Sequence, residues 1–190
     1  VKVLVLSPYP ECITGTLERA GDTPILHNDS VGLDFLHRHG IDYGVSYGYR
    51  TIIREPVLSA LSERLINLHI AYLPWNRGQD ANLWSWLEDT PKGVSIHYID
   101  AGVDTGDVLT QRETAFSDDE TLATSYEKLR RDMEALFEET WPAIRDGKIR
   151  AKPQTGNGSV HRKKDSAAIL NRLPLGWDTP VAMLKELDQR

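Results

Sequence analysis

The chain has 190 residues, a formal net charge of -6 and 40% hydrophobic residues, which suits one domain with a proper core. That acidic balance argues against a general nucleic-acid surface, and no apolar run approaches the length of a membrane span. The single cysteine, Cys12, excludes an internal disulfide and a cysteine-based zinc site, and it fits a reducing cytoplasm. Val1-Lys2-Val3-Leu4-Val5-Leu6 passes directly into Ser7-Pro8. The run is too short for a signal peptide and predicts a buried first strand over Val3 to Leu6.

Ile13, Leu17 and Ala20 recur at helical spacing before Gly21 and predict a short helix. Ile25-Leu26-His27 reads as a second strand. A helix with Val31, Phe35 and Leu36 on one face should start after the capping residues Asn28, Asp29 and Ser30 and stop at Gly40. Tyr43 to Tyr47 and Leu65 to His69 read as strands, with a short helix from Pro56 to Leu61 between them. Val94 to Ile99 and Val108 to Gln111 complete the expected sheet. Ser117-Asp118-Asp119-Glu120 has the form of a capping box opening a long helix. Its core stripe is Leu122, Tyr126, Leu129, Met133, Leu136, Phe137 and Ile144.

Alternating strands and helices imply an α/β domain with a doubly wound, largely parallel sheet. The expected catalytic domain is 1–147, with 148–190 a small C-terminal extension packed on it. Between them, Gln154 to Ser159 reads as a loop, and the basic run His161 to Lys164 as a solvated one. No Gly-x-Gly-x-x-Gly follows the first strand, so a nicotinamide cofactor has no support.

The chemistry concentrates in Asn67-Leu68-His69, the segment Leu73-Pro74-Trp75-Asn76-Arg77-Gly78, and Val103-Asp104-Thr105-Gly106-Asp107. An amide donates to a developing oxyanion, an imidazole moves a proton, and a carboxylate orients the imidazole. Loops beyond strand ends of a doubly wound sheet would bring the three together. That set suits acyl transfer without a covalent enzyme intermediate. His97, Asp100 and Asp104 match no metal motif, so no metal is expected and His97 reads as strand packing.

Asn67-Leu68-His69 followed by Leu73-Pro74, then Gly93 to Gly106 carrying Asp104, resembles the folate-dependent formyltransferase family. The similarity covers about Ile41 to Arg112. It implies a Rossmann-like formyltransferase fold with Asn67, His69 and Asp104 as catalytic residues. It also implies 10-formyltetrahydrofolate as cosubstrate, lined by Tyr49, Arg50 and Ile52 and by backbone around Ile99, Asp100 and Asp104. Pro8-Tyr9-Pro10-Glu11 stands where glycinamide ribonucleotide formyltransferases carry a glycine-rich phosphate loop, and the tail after Lys148 is short for a tRNA-binding domain. Those departures favour the nucleotide-sugar or small-amine branch, with Trp75, Asn76 and Arg77 on the acceptor side. The expected partner is therefore a small amine, with no nucleic acid or membrane, in a cytoplasmic enzyme open to homodimerisation. Two rivals remain at this point: a formyltetrahydrofolate hydrolase, and a folate- or nucleotide-binding module without turnover.

Overall fold

The computed structural model describes residues 1–184, so the end of the expected C-terminal extension, 185–190, lies outside the described residues. Six strands form the central sheet: β1 (Lys2–Leu6), β2 (Thr23–Leu26), β3 (Tyr43–Ser46), β4 (Leu65–His69), β6 (Gly93–Tyr98) and β7 (Val108–Glu113). Their spatial order is β2-β1-β3-β4-β6-β7. The first four run parallel, whereas β6 is antiparallel to both β4 and β7. The expected largely parallel sheet is thus mixed, with its reversal beside β4.

Strand side chains alternate between faces, and here the alternation divides the core in two. Val3, Val5, Val45, Ile66, Leu68, Val94 and Ile96 point to one face. There they meet α1 (Glu11–Arg19) and the 24-residue α5 (Leu122–Arg145). Leu4, Leu6 and Leu65 point to the other and meet α2 (Leu33–His39) and α3 (Val57–Leu61). Both faces being covered explains why β1 reads as an unbroken apolar run.

Two helix starts differ from expectation. The N-cap of α2 is Gly32, in extended conformation, so Asn28, Asp29 and Ser30 precede the helix without capping it. At α5 the capping box is Thr121 with Thr124, in place of Ser117 with Glu120. Thr121 Oγ1 accepts the Thr124 N–H and Thr124 Oγ1 accepts the Thr121 N–H. Gly40 does end α2 in the left-handed region, where a side chain would be strained.

The α5 stripe is buried as expected except at Tyr126, which is half-exposed, and it gains Trp141, which is fully buried. Trp141 meets Tyr43 edge-on at 5.1 Å, and its indole N–H donates to Asp22 Oδ2 at 2.8 Å. Arg145 donates to the same oxygen at 3.0 Å.

The helix α6 (Lys163–Leu170), which begins in the run read as a solvated loop, was not anticipated, and neither was α4 (Ala81–Leu87). Leu83 of α4 joins Leu122, Ile169, Val181 and Leu184 in a third apolar cluster, which ties α6 and the turns after it to the start of α5. Beside it, β5 (Arg77–Gly78) pairs in parallel with β8 (Val160–His161). The basic run after Ser159 is therefore structured: His161 stacks on Trp84 with centroids 3.9 Å apart, and its Nε2 lies 3.0 Å from Glu88 Oε1.

Truncating Trp141 to Ala should cost about 3–5 kcal/mol, because it empties a packed site and strips Asp22 of a donor. Urea unfolding of wild type and Trp141→Ala measures the difference.

Candidate active site

Asn67 and His69 stand two residues apart on β4, so both project from the face that carries Leu65. The antiparallel register places His97 of β6 directly opposite Asn67. Three polar side chains thereby share one patch of sheet. The loop between β6 and β7 returns over that patch and delivers Asp104 into its middle.

The Asp104 carboxylate is the hub. Its Oδ1 accepts from Asn67 Nδ2 at 3.1 Å and lies 3.4 Å from His97 Nε2. Its Oδ2 accepts the Gly78 backbone N–H at 2.8 Å and lies 3.6 Å from His69 Nε2. Asp104 sits at φ 50, a left-handed conformation that Asp tolerates better than most residues. The loop holds it there through Asp100, whose Oδ1 accepts from Gly102 N at 3.0 Å and Thr105 Oγ1 at 2.7 Å. Gly106 passes so close to the chain that a Cβ would stand 2.0 Å from the Tyr98 carbonyl oxygen.

Hydrogen bonds to backbone carbonyls settle which imidazole nitrogens carry protons, because a carbonyl only accepts. His69 Nε2 lies 3.2 Å from the Asn76 carbonyl and so holds the proton, leaving the lone pair of the neutral ring on Nδ1. His97 Nδ1 donates to the Tyr98 carbonyl at 2.7 Å, and Asn67 Nδ2 lies 3.3 Å from its Nε2.

Burial pushes the His69 pKa below its ordinary 6.5, and the attraction of Asp104 only partly opposes this. For Asp104, burial acts upward, but the attraction of His69 and His97 in their charged forms and the Gly78 N–H outweigh it. They hold its carboxyl well below the usual carboxylate range. At neutral pH the resting site is therefore carboxylate plus neutral imidazole.

The three expected catalytic residues thus converge. His97, read from sequence as packing, joins them at Asp104, as does the Gly78 N–H; behind them Gln154 holds the Asp104 backbone and Ser159 holds Asn76. The alternation Val94-Ser95-Ile96-His97 carried a signal, since two polar residues on one strand face within an apolar run need partners. Which residue would lie opposite His97 was a matter of register, invisible before β4 and β6 were paired.

Other expected residues divide. Tyr49, Arg50 and Ile52 line a cleft of about 710 Å³ with Ser30 to Gly32 and Arg54 to Val57. Within it Ile52 is 72% exposed, and Tyr49 OH donates to the Asp29 carbonyl at 2.5 Å. Ile99 donates its N–H to Leu65 O and packs against the core at that face.

Asn76, expected on the acceptor side, is instead fully buried. Its amide is spent on Glu88, Ser159 and Thr90. Arg77, also expected on the acceptor side, directs Nε and Nη2 onto an internal partner, Gln154 Oε1. Trp75 is 37% exposed. Among the described residues no group of His, Cys, Asp or Glu is arranged to hold a metal ion, and no helix is long and apolar enough to cross a membrane.

Residues 16–140 match the family model described as formyl transferase. The chain belongs to the formyl transferase family. It is 32% identical over 176 residues to a methionyl-tRNA formyltransferase of Burkholderia pseudomallei, covering 89% of this chain and 51% of that protein. It is 34% identical over 102 residues to the dTDP-4-amino-4,6-dideoxyglucose formyltransferase of Mycobacterium tuberculosis, covering 54% of this chain and 44% of that one. The chain thus spans about half the length of the curated formyl transferase relatives it matches. Among solved structures, the formyltransferase PseJ from Anoxybacillus kamchatkensis is 47% identical, with a TM-score of 0.92 over 97% of both chains. That crystal structure is a complex with UDP-4,6-dideoxy-4-formamido-L-AltNAc and tetrahydrofolate. The mixed six-stranded sheet is accordingly the formyl transferase fold.

Two measurements probe the site without any substrate. Since its folded-state pKa lies below 6.5, His69 should titrate below that value in imidazole NMR. Asp104→Asn should move it lower still by removing the charge that favours imidazolium. The sign for stability follows: as pH falls below 6.5 the unfolded state takes up a proton that folded His69 refuses, so its contribution is lost on the acid side. The contribution of Asp104 persists above 3.8 and fades only as pH falls from there through its depressed folded value.

Gly78 offers the second. It sits at φ +89, and a Cβ would stand 2.2 Å from the His161 carbonyl oxygen. Gly78→Ala should lose about 1–3 kcal/mol from backbone conformation alone, read as a lower thermal midpoint.

Proposed function

We propose that this chain transfers a formyl group from 10-formyltetrahydrofolate to the amine of a nucleotide-linked amino sugar. The observation that carries the reading is the convergence of Asn67, His69 and His97 on one half-buried, ionised Asp104. The likeness to PseJ, which extends over nearly all of both chains, supports the choice of acceptor class and of folate.

The formyl donor supplies an electrophilic carbonyl carbon whose bond to the folate nitrogen breaks as the bond to the amine forms. The chain has to remove a proton from the attacking amine and stabilise charge building on the formyl oxygen. Neutral His69, with its lone pair on Nδ1, is the proton acceptor. A carboxyl held as far below its usual range as Asp104 is too weak a base for that task. Asp104 instead stabilises the imidazolium once His69 is protonated, 3.6 Å away, and the imidazolium then gives that proton to the folate nitrogen as its bond to the formyl carbon breaks. Asn67 supplies the amide donor to the formyl oxygen by turning one N–H away from Asp104 or His97, the two groups that hold it at rest.

The cleft beside β3 suits the donor. Its volume falls in the range of small-molecule sites, and it combines apolar Val31, Ile52 and Val57 with polar groups. Tyr49, Arg50 and Ile52 are its proposed donor contacts, with Ile99 and Asp100 on the opposing loop. On the acceptor side, Trp75 offers an aromatic face, and Arg77 offers the guanidinium edge not committed to Gln154. A cytoplasmic setting accords with the lone thiol of Cys12.

Tetrahydrofolate release from 10-formyltetrahydrofolate should depend on a UDP-linked amino sugar and be slower with the free amino sugar. Release that proceeds equally without any amine would replace transferase with hydrolase, and folate binding without release would leave a binding module. Asn67→Ala should lower kcat by roughly 100-fold, the loss of one oxyanion donor, with little change in acceptor KM.

A further inference from the structure

Gln154 lies beyond the family-matched region 16–140, on the segment between α5 and β8. It is half-buried, and its amide is saturated. The two amide N–H groups donate to the backbone carbonyls of Asp104 at 2.8 Å and Gly106 at 2.9 Å. Its carbonyl oxygen accepts Arg77 Nη2 at 2.8 Å and Arg77 Nε at 2.9 Å. A primary amide has two donors and two lone pairs, and here all four are used at good distances.

The partners stand on either side of the Asp104 carboxylate. Asp104 and Gly106 belong to the loop that brings the carboxylate in, and Arg77 immediately precedes Gly78, whose N–H holds Oδ2. One side chain therefore fastens the loop carrying the carboxylate to the strand that donates to it. We propose that Gln154 is a positioning residue, which sets the placement of the Asp104 carboxylate against His69 and Asn67 by clamping the 104–106 backbone to Arg77. Its contribution to rate rests on the formyl-transfer reading; its effect on geometry does not.

Gln is suited to this clamp and its acid analogue is not. Gln154→Glu keeps the length and improves the bond to Arg77, but it turns two donors into acceptors facing two carbonyls. If Gln154 served only to anchor the C-terminal segment through Arg77, Gln154→Glu would be harmless. If it positions Asp104, Gln154→Glu should be as damaging as the near-isosteric but apolar Gln154→Met. A displacement near 1 Å at a reacting group costs roughly 100-fold.

The test is a pair of measurements on wild type, Gln154→Glu, Gln154→Met and Asp104→Asn, alone and combined. In imidazole NMR, both Gln154 variants should shift the His69 and His97 signals, and add little further shift in the Asp104→Asn background. In the transfer assay, kcat should fall 30- to 100-fold with folate affinity and acceptor KM within about twofold, and the loss should not add to that of Asp104→Asn. Unshifted His69 and His97 signals in a folded Gln154 variant would overturn the proposal, whatever the activity. So would undiminished kcat in Gln154→Glu, or losses that multiply with Asp104→Asn. Shifted imidazole signals in a chain that transfers no formyl group would sustain the positioning role and reject the transferase reading. Should Gln154→Glu fail to fold, Gln154→Met carries both measurements alone.

Discussion

A carboxylate largely withdrawn from water must be paired and hydrogen-bonded or it destabilises its surroundings, and Asp104 imposes that requirement on this protein. Breaking a buried charge away from its partners typically costs about 3–5 kcal/mol, a large share of the stability of a domain this size. The partners come from separate parts of the chain: Asn67 and His69 from β4, His97 from β6, and Gly78 from β5. Satisfying one charge thereby draws together a central strand, its antiparallel neighbour and the short strand beyond. Stability and chemistry coincide here, because the groups that make the carboxylate tolerable are those that would act on a substrate.

The reversal of the sheet at β4 makes this convergence geometrically cheap. In an antiparallel pair, residues in register face the same way with Cβ atoms about 5 Å apart. Asn67 opposite His97, and His69 opposite Ser95, is such a ladder. The opposite parity, Ile66, Leu68, Val94 and Ile96, packs wholly into the α1 and α5 side of the core. A slip of one residue would drive the imidazoles into that core and the isoleucines out of it, so hydrophobic packing on one face enforces catalytic register on the other.

This coupling also explains which features were readable in advance. Strand positions and the α5 stripe followed from local periodicity, and Asn67, His69 and Asp104 could be selected because each sits in a distinctive local context. His97 is indistinguishable from packing until its opposite number is known. Asn76 looked like a binding residue because it neighbours the site in sequence, whereas its φ of 55 and buried amide follow from contacts with Glu88, Thr90 and Ser159. Gln154 stands in a polar stretch whose composition resembles any surface loop. Long-range hydrogen bonds leave no periodicity, and those decided the places of His97, Asn76 and Gln154.

The same bonds tie the far end of the chain to the candidate site. Ser159 Oγ accepts the Asn76 N–H at 2.9 Å, while Asn76 Oδ1 accepts from Thr90 Oγ1 at 2.7 Å. Held from both sides, Asn76 presents its carbonyl to His69 Nε2. That contact puts the imidazole proton on Nε2 and leaves Nδ1 basic. A serine 90 positions downstream thus determines which nitrogen of His69 can take a proton. Gln154 does the corresponding work for the carboxylate. The family-matched region ends at 140, yet both the Asn76 carbonyl against His69 and the backbone that carries Asp104 are held by residues beyond it. The segment after α5 is therefore coupled to the candidate site, since it holds the backbone on which the His69 contact and the Asp104 carboxylate depend.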